Sequence, residues 1–529
     1  MSPLSISDID FQRAKSGPLS TAIAGYTSSD LFKSSGSRSN VEGKSLQHRL
    51  SVESRNFFGS TLKKSSNQVF RTKMISLGTG RPTSELYPWN SVTFHATSID
   101  RQISSSSGTK NAIMLSESRT IVKRGGDYDI ARGLNYSYAA GSPALLRFIT
   151  EHIEIVHNPP YRNWATCLSC GSTSALEVAL RIFCNRGDTI LTESYTYPGV
   201  IEVANLLGVH TIGIEMDSLG LMPEYLERTL RTWDESRAPR PTVLYTIPSG
   251  QNPTGVTQSL QRKKAIYQVA EDYDLVIIED DPYYFLCMDL GLDSVKNFTS
   301  AKRDDLVTAS GYLASLPSSL LALDRSGRVV RLDSVSKILA PGLRAGWVTA
   351  SDQIINKFIA YYEVSTVAVS GPTQLMLWDL LDATWGHLGF FSWLDQLSTR
   401  YRTRLRILLD ACEQYFPKEV CKWAPPQNGM FLWTSLDLMK HPIILSGDHK
   451  EQNSSFINNQ ACGIEARILA KALEQGVQIT MGSLFDTNKT PIAKVHFRMT
   501  FSAADESEIE VGVKKVANVV REEFAMETI

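Results

Sequence analysis

The sequence predicts an α/β protein: a large domain around a mainly parallel, helix-covered sheet, followed by a smaller α+β domain. Three observations carry that expectation. Short, β-branched apolar runs at Thr189-Ile190-Leu191, Thr242-Val243-Leu244-Tyr245 and Leu275-Val276-Ile277-Ile278 read as buried strands. Between the last two, Ser259 to Asp274 sets Ala265, Ile266, Val269 and Ala270 at helical spacing, so strand, helix and strand follow in the order of a right-handed crossover. Past a helical linker near Val367 to Trp385 the pattern changes. Met430-Phe431-Leu432-Trp433 and Val495-His496-Phe497-Arg498-Met499 read as strands, and Asp505 to Glu523 as a closing helix.

Size and composition bound the function. A chain of 529 residues exceeds one small core and predicts two domains with peripheral segments. Apolar residues at 42% and charged residues at 21% are ordinary for globular proteins, and a formal net charge of −1 gives no reason to expect nucleic acid or an anionic membrane as partner. Seven cysteines are sparse for this length and predict reduced thiols. Cys167 and Cys170 form a lone C-x-x-C with no second pair at zinc-ligand spacing, and strand alternation would point them to opposite faces. Buried structural thiols are expected there, and no metal. No apolar run approaches the roughly 20 residues of a membrane span, and the N-terminus lacks a signal-peptide core, so the expectation is cytoplasmic.

The stretch to residue 51 is rich in Ser, including Ser34-Ser35-Gly36-Ser37-Arg38-Ser39, and reads as a flexible extension without the helical periodicity of a DNA-binding head. Insertions are expected at about Asp289 to Asp324 and His441 to Cys462.

The chemistry-bearing segments fall at strand ends, where open α/β sheets bind ligands. Ser334-Val-Ser-Lys337-Ile-Leu-Ala-Pro-Gly-Leu-Arg344-Ala-Gly-Trp347 offers a lysine flanked by hydroxyls and an arginine beyond a Pro-Gly turn. A lysine amine forms a Schiff base with an aldehyde, and a guanidinium fork holds a phosphate at two points. Pyridoxal 5'-phosphate (PLP) carries both groups. Cys170-Gly171-Ser172-Thr173 ends an apolar strand and opens a helix, whose free N–H groups suit a phosphate; Ser172 or Thr173 as a plain N-cap is the competing reading. Ile277-Ile278-Glu279-Asp280-Asp281-Pro282-Tyr283-Tyr284 sets carboxylates at a strand's carboxyl end, to face a pyridine nitrogen or merely to form a solvated turn. Gly250-Gln251-Asn252-Pro253-Thr254-Gly255 is a turn whose amide could bond a phenolic oxygen. Arg498, inside an apolar strand, wants an anion: either a substrate carboxylate or a structural salt bridge.

Taken in that order, the set resembles the fold-type I, PLP-dependent aminotransferases of classes I and II. The branch most similar to it holds kynurenine/α-aminoadipate aminotransferases and fungal aromatic amino acid aminotransferases. Tyr245 to Gly255, Ile278 to Leu286, Met74-Ile-Ser-Leu-Gly-Thr-Gly-Arg-Pro82 and Arg331 to Arg344 carry the likeness, which runs from about Met74 to Glu523. The resemblance implies a sheet of seven-stranded type. It implies an arm at 52–130 that contributes to the small domain and covers the active site, a PLP-binding domain at 131–365, and a small domain at 366–529. It further implies that Lys337 holds PLP and, once displaced by substrate, moves the proton between Cα and C4'. Asp280 would pair with the ring nitrogen, Tyr283 and Asn252 with the ring oxygen, and Tyr197 (or nearby Tyr195) would stack on the ring. Ser172, Thr173, Ser334, Ser336 and Arg344 would hold the phosphate. Tyr136 would reach the phosphate of a neighbouring subunit, implying a homodimer. Arg498 would clamp the α-carboxylate, with Asn252, Gly80 and Tyr87 also on the substrate side.

The chain departs from the family pattern in two places. Phe58 to Lys64 stands where relatives have a Pro-rich stretch with a basic residue, for which Lys63 is the candidate, and Thr173 replaces a frequent Gln. The implied activity is transfer of an amino group from an aromatic, kynurenine-like or aminoadipate-like L-amino acid to a 2-oxo acid such as 2-oxoglutarate, in ping-pong fashion. Tyr87, Trp89 and Phe431 are candidates for an aromatic pocket, with the core as the other reading of Phe431. Rival readings are a PLP lyase, decarboxylase or synthase of the same fold, and a non-catalytic PLP-binding regulator.

Overall fold

The computed structural model describes residues 4–34, 40–62, 80–97, 116–288, 309–446, 454–488 and 494–528. Its strands, in chain order, are Ser91–Thr97 (β1), Ser116–Val122 (β2), Trp164–Ser169 (β3), Thr189–Glu193 (β4), His210–Ile214 (β5), the short Met216–Asp217 (β6) and Gly220–Leu221 (β7), Val243–Thr246 (β8), Val276–Asp280 (β9), Val329–Ser334 (β10), Gly346–Ser351 (β11), Cys421–Trp423 (β12), Phe431–Asp437 (β13), Thr480–Met481 (β14) and Lys494–Thr500 (β15). The protein is α/β, and β3, β4, β5, β8, β9, β10 and β11 are the strands of a mainly parallel seven-stranded sheet.

Two compact units divide the chain: Met1–Asn185 with Asp304–Ala314 and Ser318–Leu394, and Arg186–Arg303 with Ser315–Pro317 and Asp395–Ile529. In the second unit the order β9-β8-β4-β5 is parallel throughout. Every residue of β4, β8 and β9 is buried, which is why Ile190-Leu191, Val243 to Tyr245 and Val276 to Ile278 read as continuous apolar runs rather than as alternations. The crossover from β8 to β9 is the helix Leu260–Asp272, one residue inside the expected start. The Ser259 hydroxyl caps it by accepting from the Arg262 N–H at 3.2 Å, and Ile266, Val269 and Ala270 form its buried stripe. A four-stranded antiparallel sheet, β12-β13-β15-β14, carries the later part of this unit. Its register sets Trp433 opposite Arg498. The closing helix Glu506–Glu523 starts on a capping box between Asp505 and Glu508.

In the first unit β3-β11-β10 is antiparallel, so the loop from β10 to β11 reverses direction at one end of the sheet. The expected linker resolves into the helix Gly371–Trp378 and a π-helical segment Asp379–Trp385, followed by the long helix Gly386–Tyr415. All seven cysteines are free thiols; Cys167 is buried and Cys170 half-buried. Among the described residues no helix is long and apolar enough to cross a membrane.

The N-terminal stretch differs from its expectation of flexibility. Residues 35–39 lie outside the described residues, but those on either side are packed. The helix Ile6–Lys15 starts on a Ser5–Asp8 capping box and buries Ile9 completely. Arg13 pairs with Glu151 and, at 2.6 Å, with Asp382 of the π-helical segment, where Arg147 also binds at 2.9 Å. Lys33 is buried and donates to the Trp164 carbonyl, and the Ser34 N–H donates to Glu154 at 3.0 Å. Further along, the Ser51 hydroxyl donates to the Arg181 carbonyl at 2.6 Å. Polar groups and two scattered buried apolar residues, Ile9 and Leu46, help hold the segment, so no amphipathic stripe marks it in the sequence. Ile9→Ala is therefore expected to lower unfolding stability by about 2–5 kcal/mol in denaturant titration, whereas a loose extension would show no change.

Candidate active site

The sequence-predicted residues assemble as two groups, one in each compact unit. In the first unit, β10 ends at Ser334, which is buried, and the chain turns through Ser336 and Lys337, both half-buried. The Ser336 N–H donates to Ser334 Oγ at 3.1 Å, which tightens the turn carrying the lysine. A 3₁₀ turn at Pro341–Leu343 then delivers Arg344 in the left-handed region (φ +47°) before β11 begins. From there Arg344 Nη1 donates to the Pro341 carbonyl at 3.0 Å and to Ser336 Oγ at 3.4 Å.

Antiparallel pairing of β11 with β3 sets Gly346 opposite Ser169, so Arg344 comes beside the residues that follow β3. Gly171, at φ +89°, allows the closest approach: a Cβ there would lie 2.8 Å from Arg344 Nη2. The guanidinium thus lies against the start of the helix Ser172–Phe183, which has no side-chain cap. Ser172 is half-buried and Thr173 exposed. First-turn N–H groups lack intrahelical acceptors and carry partial positive charge. Among the described residues no carboxylate pairs with Arg344. A guanidinium, uncapped helix N–H groups and serine hydroxyls form a donor set that fits a phosphate, with the Lys337 amine in the same loop.

Other residues of the first unit stand apart. Tyr136 is exposed and its N–H donates to Asn135 Oδ1 at 2.9 Å. Tyr87 is half-buried, its phenol raised by partial burial and eased back by Arg81, and Trp89 is exposed. Gly80 has open space where a side chain would be. Residues 74–79 and Lys63 lie outside the described residues.

The second unit gathers the acidic, amide and aromatic groups. Asp280, the last residue of β9, is buried and accepts a hydrogen bond from the Tyr245 hydroxyl at 2.7 Å. Its neighbour Asp281 instead accepts from Ser249 Oγ at 3.1 Å. The Asn252 loop is pressed onto residues 428–431: Gly250 (φ +57°) and Gly255 (φ +71°) would place a Cβ within 2.8 Å of backbone atoms of Asn428 and Phe431. Gln251 stitches it, accepting from Thr254 Oγ1 at 2.7 Å and donating to the Tyr195 carbonyl at 2.6 Å. Asn252 Oδ1 accepts from Arg498 Nη1 at 2.6 Å, and the same amide bonds the phenol of buried Tyr283, whose pKa burial drives up. Tyr197, half-buried, caps the helix Pro198–Leu207 beside this group.

On β15, Arg498 lies opposite Trp433, and among the described residues no carboxylate pairs with it. It lies over the rings of Phe431 (4.1 Å) and Phe485 (4.9 Å), and burial lowers its pKa. Phe431 itself is buried, edge-on to Tyr283 at 5.4 Å, and so supports the arginine from the core. On the same sheet face Trp433 stacks on His496 with centroids 5.0 Å apart, and Tyr195 packs against both. Tyr195 therefore belongs to the Arg498 side. Tyr245, Phe485 and Glu193 were not legible as site residues. Tyr245 and Glu193 sit in buried strands without a recognisable motif, and Phe485 in a 3₁₀ turn without one.

Comparison with known proteins gives the family. Residues 115–516 match the family described as Aminotransferase class I and II. The aminotransferase swnA of Arthroderma benhamiae is 44% identical over 481 residues, covering 90% of this chain and 91% of that protein. An aromatic amino acid aminotransferase of Schizosaccharomyces pombe is 36% identical, covering 92% and 99%. The crystal structure of aminotransferase Aro8 from Candida albicans superposes with a TM-score of 0.81 at 35% identity, covering 92% of this chain and 100% of that one. The chain belongs to the class I and II aminotransferases. It is a PLP-dependent enzyme of fold type I, which sets aside the regulator and the lyase as readings of the fold.

His496 gives the site region a pH signature. Burial, with Lys494 nearby, pulls its pKa from 6.5 down to about 4, so the ring is neutral when folded. The unfolded chain takes up a proton between those values and the folded chain does not. Stability is therefore full above about pH 6.5 and falls as pH drops towards about 4. His496→Phe, which keeps a ring against Trp433, is expected to flatten this part of the stability–pH curve; an unchanged slope would show that His496 is not its source.

Proposed function

We propose that this aminotransferase takes the amino group of an aromatic L-amino acid and passes it to a 2-oxo acid such as 2-oxoglutarate, in two half-reactions. The observation that carries the reading is Arg498: a half-buried guanidinium, fixed by Asn252 and two phenyl rings, with no carboxylate partner among the described residues. An amino acid's α-carboxylate satisfies it through a two-point contact. The aromatic face of Tyr195, Trp433 and His496 on the same sheet supports an aromatic side chain in the substrate, as do the relatives named for aromatic amino acids.

PLP, when bound, supplies an aldehyde for the amine and a ring that takes up the electrons of the cleaved Cα–H bond. The chain's residues do the rest. Arg344, Ser334, Ser336 and the N–H groups at Ser172 and Thr173 would grip the phosphate. Asp280 would hold the proton on the ring nitrogen, and Asn252 and Tyr283 would bond the ring oxygen, with Tyr197 against the ring face. The Lys337 amine, neutral once displaced, would take the proton from Cα and return it to C4'. Clamped at both phosphate and carboxylate, the substrate has little rotational freedom, which is an orientation effect. Gly80 and Tyr87 would line the substrate side. Residues 131–365 would serve as the PLP-binding domain and 366–529 as the small domain. Tyr136, exposed here, would complete the phosphate site of a second copy in a cytoplasmic homodimer.

The test is a single-turnover assay of PLP-loaded enzyme with a panel of amino donors and no acceptor. Phenylalanine, tyrosine and tryptophan are expected to convert the coenzyme to its amine form with release of their 2-oxo acids, faster than aliphatic or acidic donors. Arg498→Ala is expected to lose about 2–5 kcal/mol in kcat/KM, roughly 30-fold or more, for every donor. An unchanged specificity constant in that variant, or a preference for non-aromatic donors, would overturn the reading.

A further inference from the structure

Behind the ring-facing carboxylate lies a buried layer that transamination does not by itself require. Tyr245, next to last in β8, is fully buried, and its hydroxyl donates to Asp280 Oδ2 at 2.7 Å. One strand further, Glu193 at the end of β4 is also fully buried. Its Oε1 accepts from Thr246 Oγ1 at 2.5 Å and from the Ile247 N–H at 3.0 Å, and Gln258 Nε2 donates to Thr246 Oγ1 at 3.1 Å. Tyr197 and Tyr283 are further titratable groups facing Tyr245 and Asp280. The hydroxyl is a fixed neutral donor: burial, then Asp280 and Glu193, hold the phenol far above its ordinary range, so it keeps its proton at any working pH.

A carboxylate that accepts a short O–H bond is stabilised as the ion and has its plane fixed. Without that donor a buried carboxylate is the stronger base. Resting on the assignment of Asp280 to the ring nitrogen, we propose that Tyr245 is a positioning residue that keeps Asp280 ionised and aimed, so that their shared proton stays on the coenzyme's ring and not on the carboxyl. A phenylalanine would fill the same volume, so packing alone does not call for the hydroxyl. Glu193 marks the need for it. Burial raises this second carboxyl to about 7, and in its charged form it repels Asp280 from behind.

The experiment compares PLP-loaded wild type, Tyr245→Phe, Asp280→Asn and the double variant. It reads the pH midpoint of the absorbance change of the lysine-bound coenzyme, beside kcat and KM. A ring that surrenders its proton no longer repels the proton on the lysine nitrogen. Tyr245→Phe should therefore move the midpoint upward by about half a pH unit or more and lower kcat about tenfold with KM little changed. In the Asp280→Asn background the same change should add no shift. Tyr245→3-fluorotyrosine, a stronger donor of the same shape, should move the midpoint the other way, and it serves if the phenylalanine variant fails to fold. An unmoved midpoint in both Tyr245 variants beside a moved one in Asp280→Asn overturns this inference and leaves the Asp280 assignment standing. An unmoved midpoint in Asp280→Asn overturns the assignment and the inference together.

Discussion

Two guanidinium groups, one in each compact unit, are left uncompensated by the described carboxylates, and the proposed roles depend on them. Arg344 lies against the uncapped, positive start of the helix Ser172–Phe183, beside Gly171, whose φ of +89° favours glycine. Arg498 rests on Phe431 and Phe485 inside an otherwise apolar strand. Positive charge held against a helix N-terminus, or half-buried with no counter-ion among the described residues, favours an arriving anion. In the proposed function the coenzyme's phosphate and the substrate's carboxylate are those anions, and charges already in place would keep reorganisation on binding small.

The backbone explains why the groups fall where they do. Reversal of direction between β10 and β11 brings Ser336 and Arg344 into one loop with Lys337, and pairing of β11 with β3 carries that loop to Gly171. In the other unit, parallel β8 and β9 end side by side, which is how Tyr245 reaches Asp280. Strand order thus does for a set of scattered residues what no local motif could do.

Legibility in the sequence followed burial pattern. The strands β4, β8 and β9 were visible because both faces are covered and the runs are mostly apolar. The lysine loop, the Asn252 turn and the Asp280–Tyr283 pair were visible because proline, glycine and acids punctuate strand ends. Less visible was anything held by polar contacts over long sequence separations. Arg13 reaches Glu151, and Lys33 reaches Trp164, yet neither leaves a periodic trace in the Ser-rich N-terminal stretch. Tyr245 was read only as the end of a strand, because a buried hydroxyl looks like any aromatic until its acceptor is known. The choice between salt bridge and ligand for Arg498 likewise needed the neighbours, since a strand arginine fits either.

The proposed chemistry rests on the amine of one residue. Reducing the PLP-loaded enzyme with borohydride and mapping the digest should give a single coenzyme-bearing peptide, modified at Lys337, and none from Lys337→Ala. A stable adduct on another lysine, or protein that takes up no coenzyme at all, would contradict it.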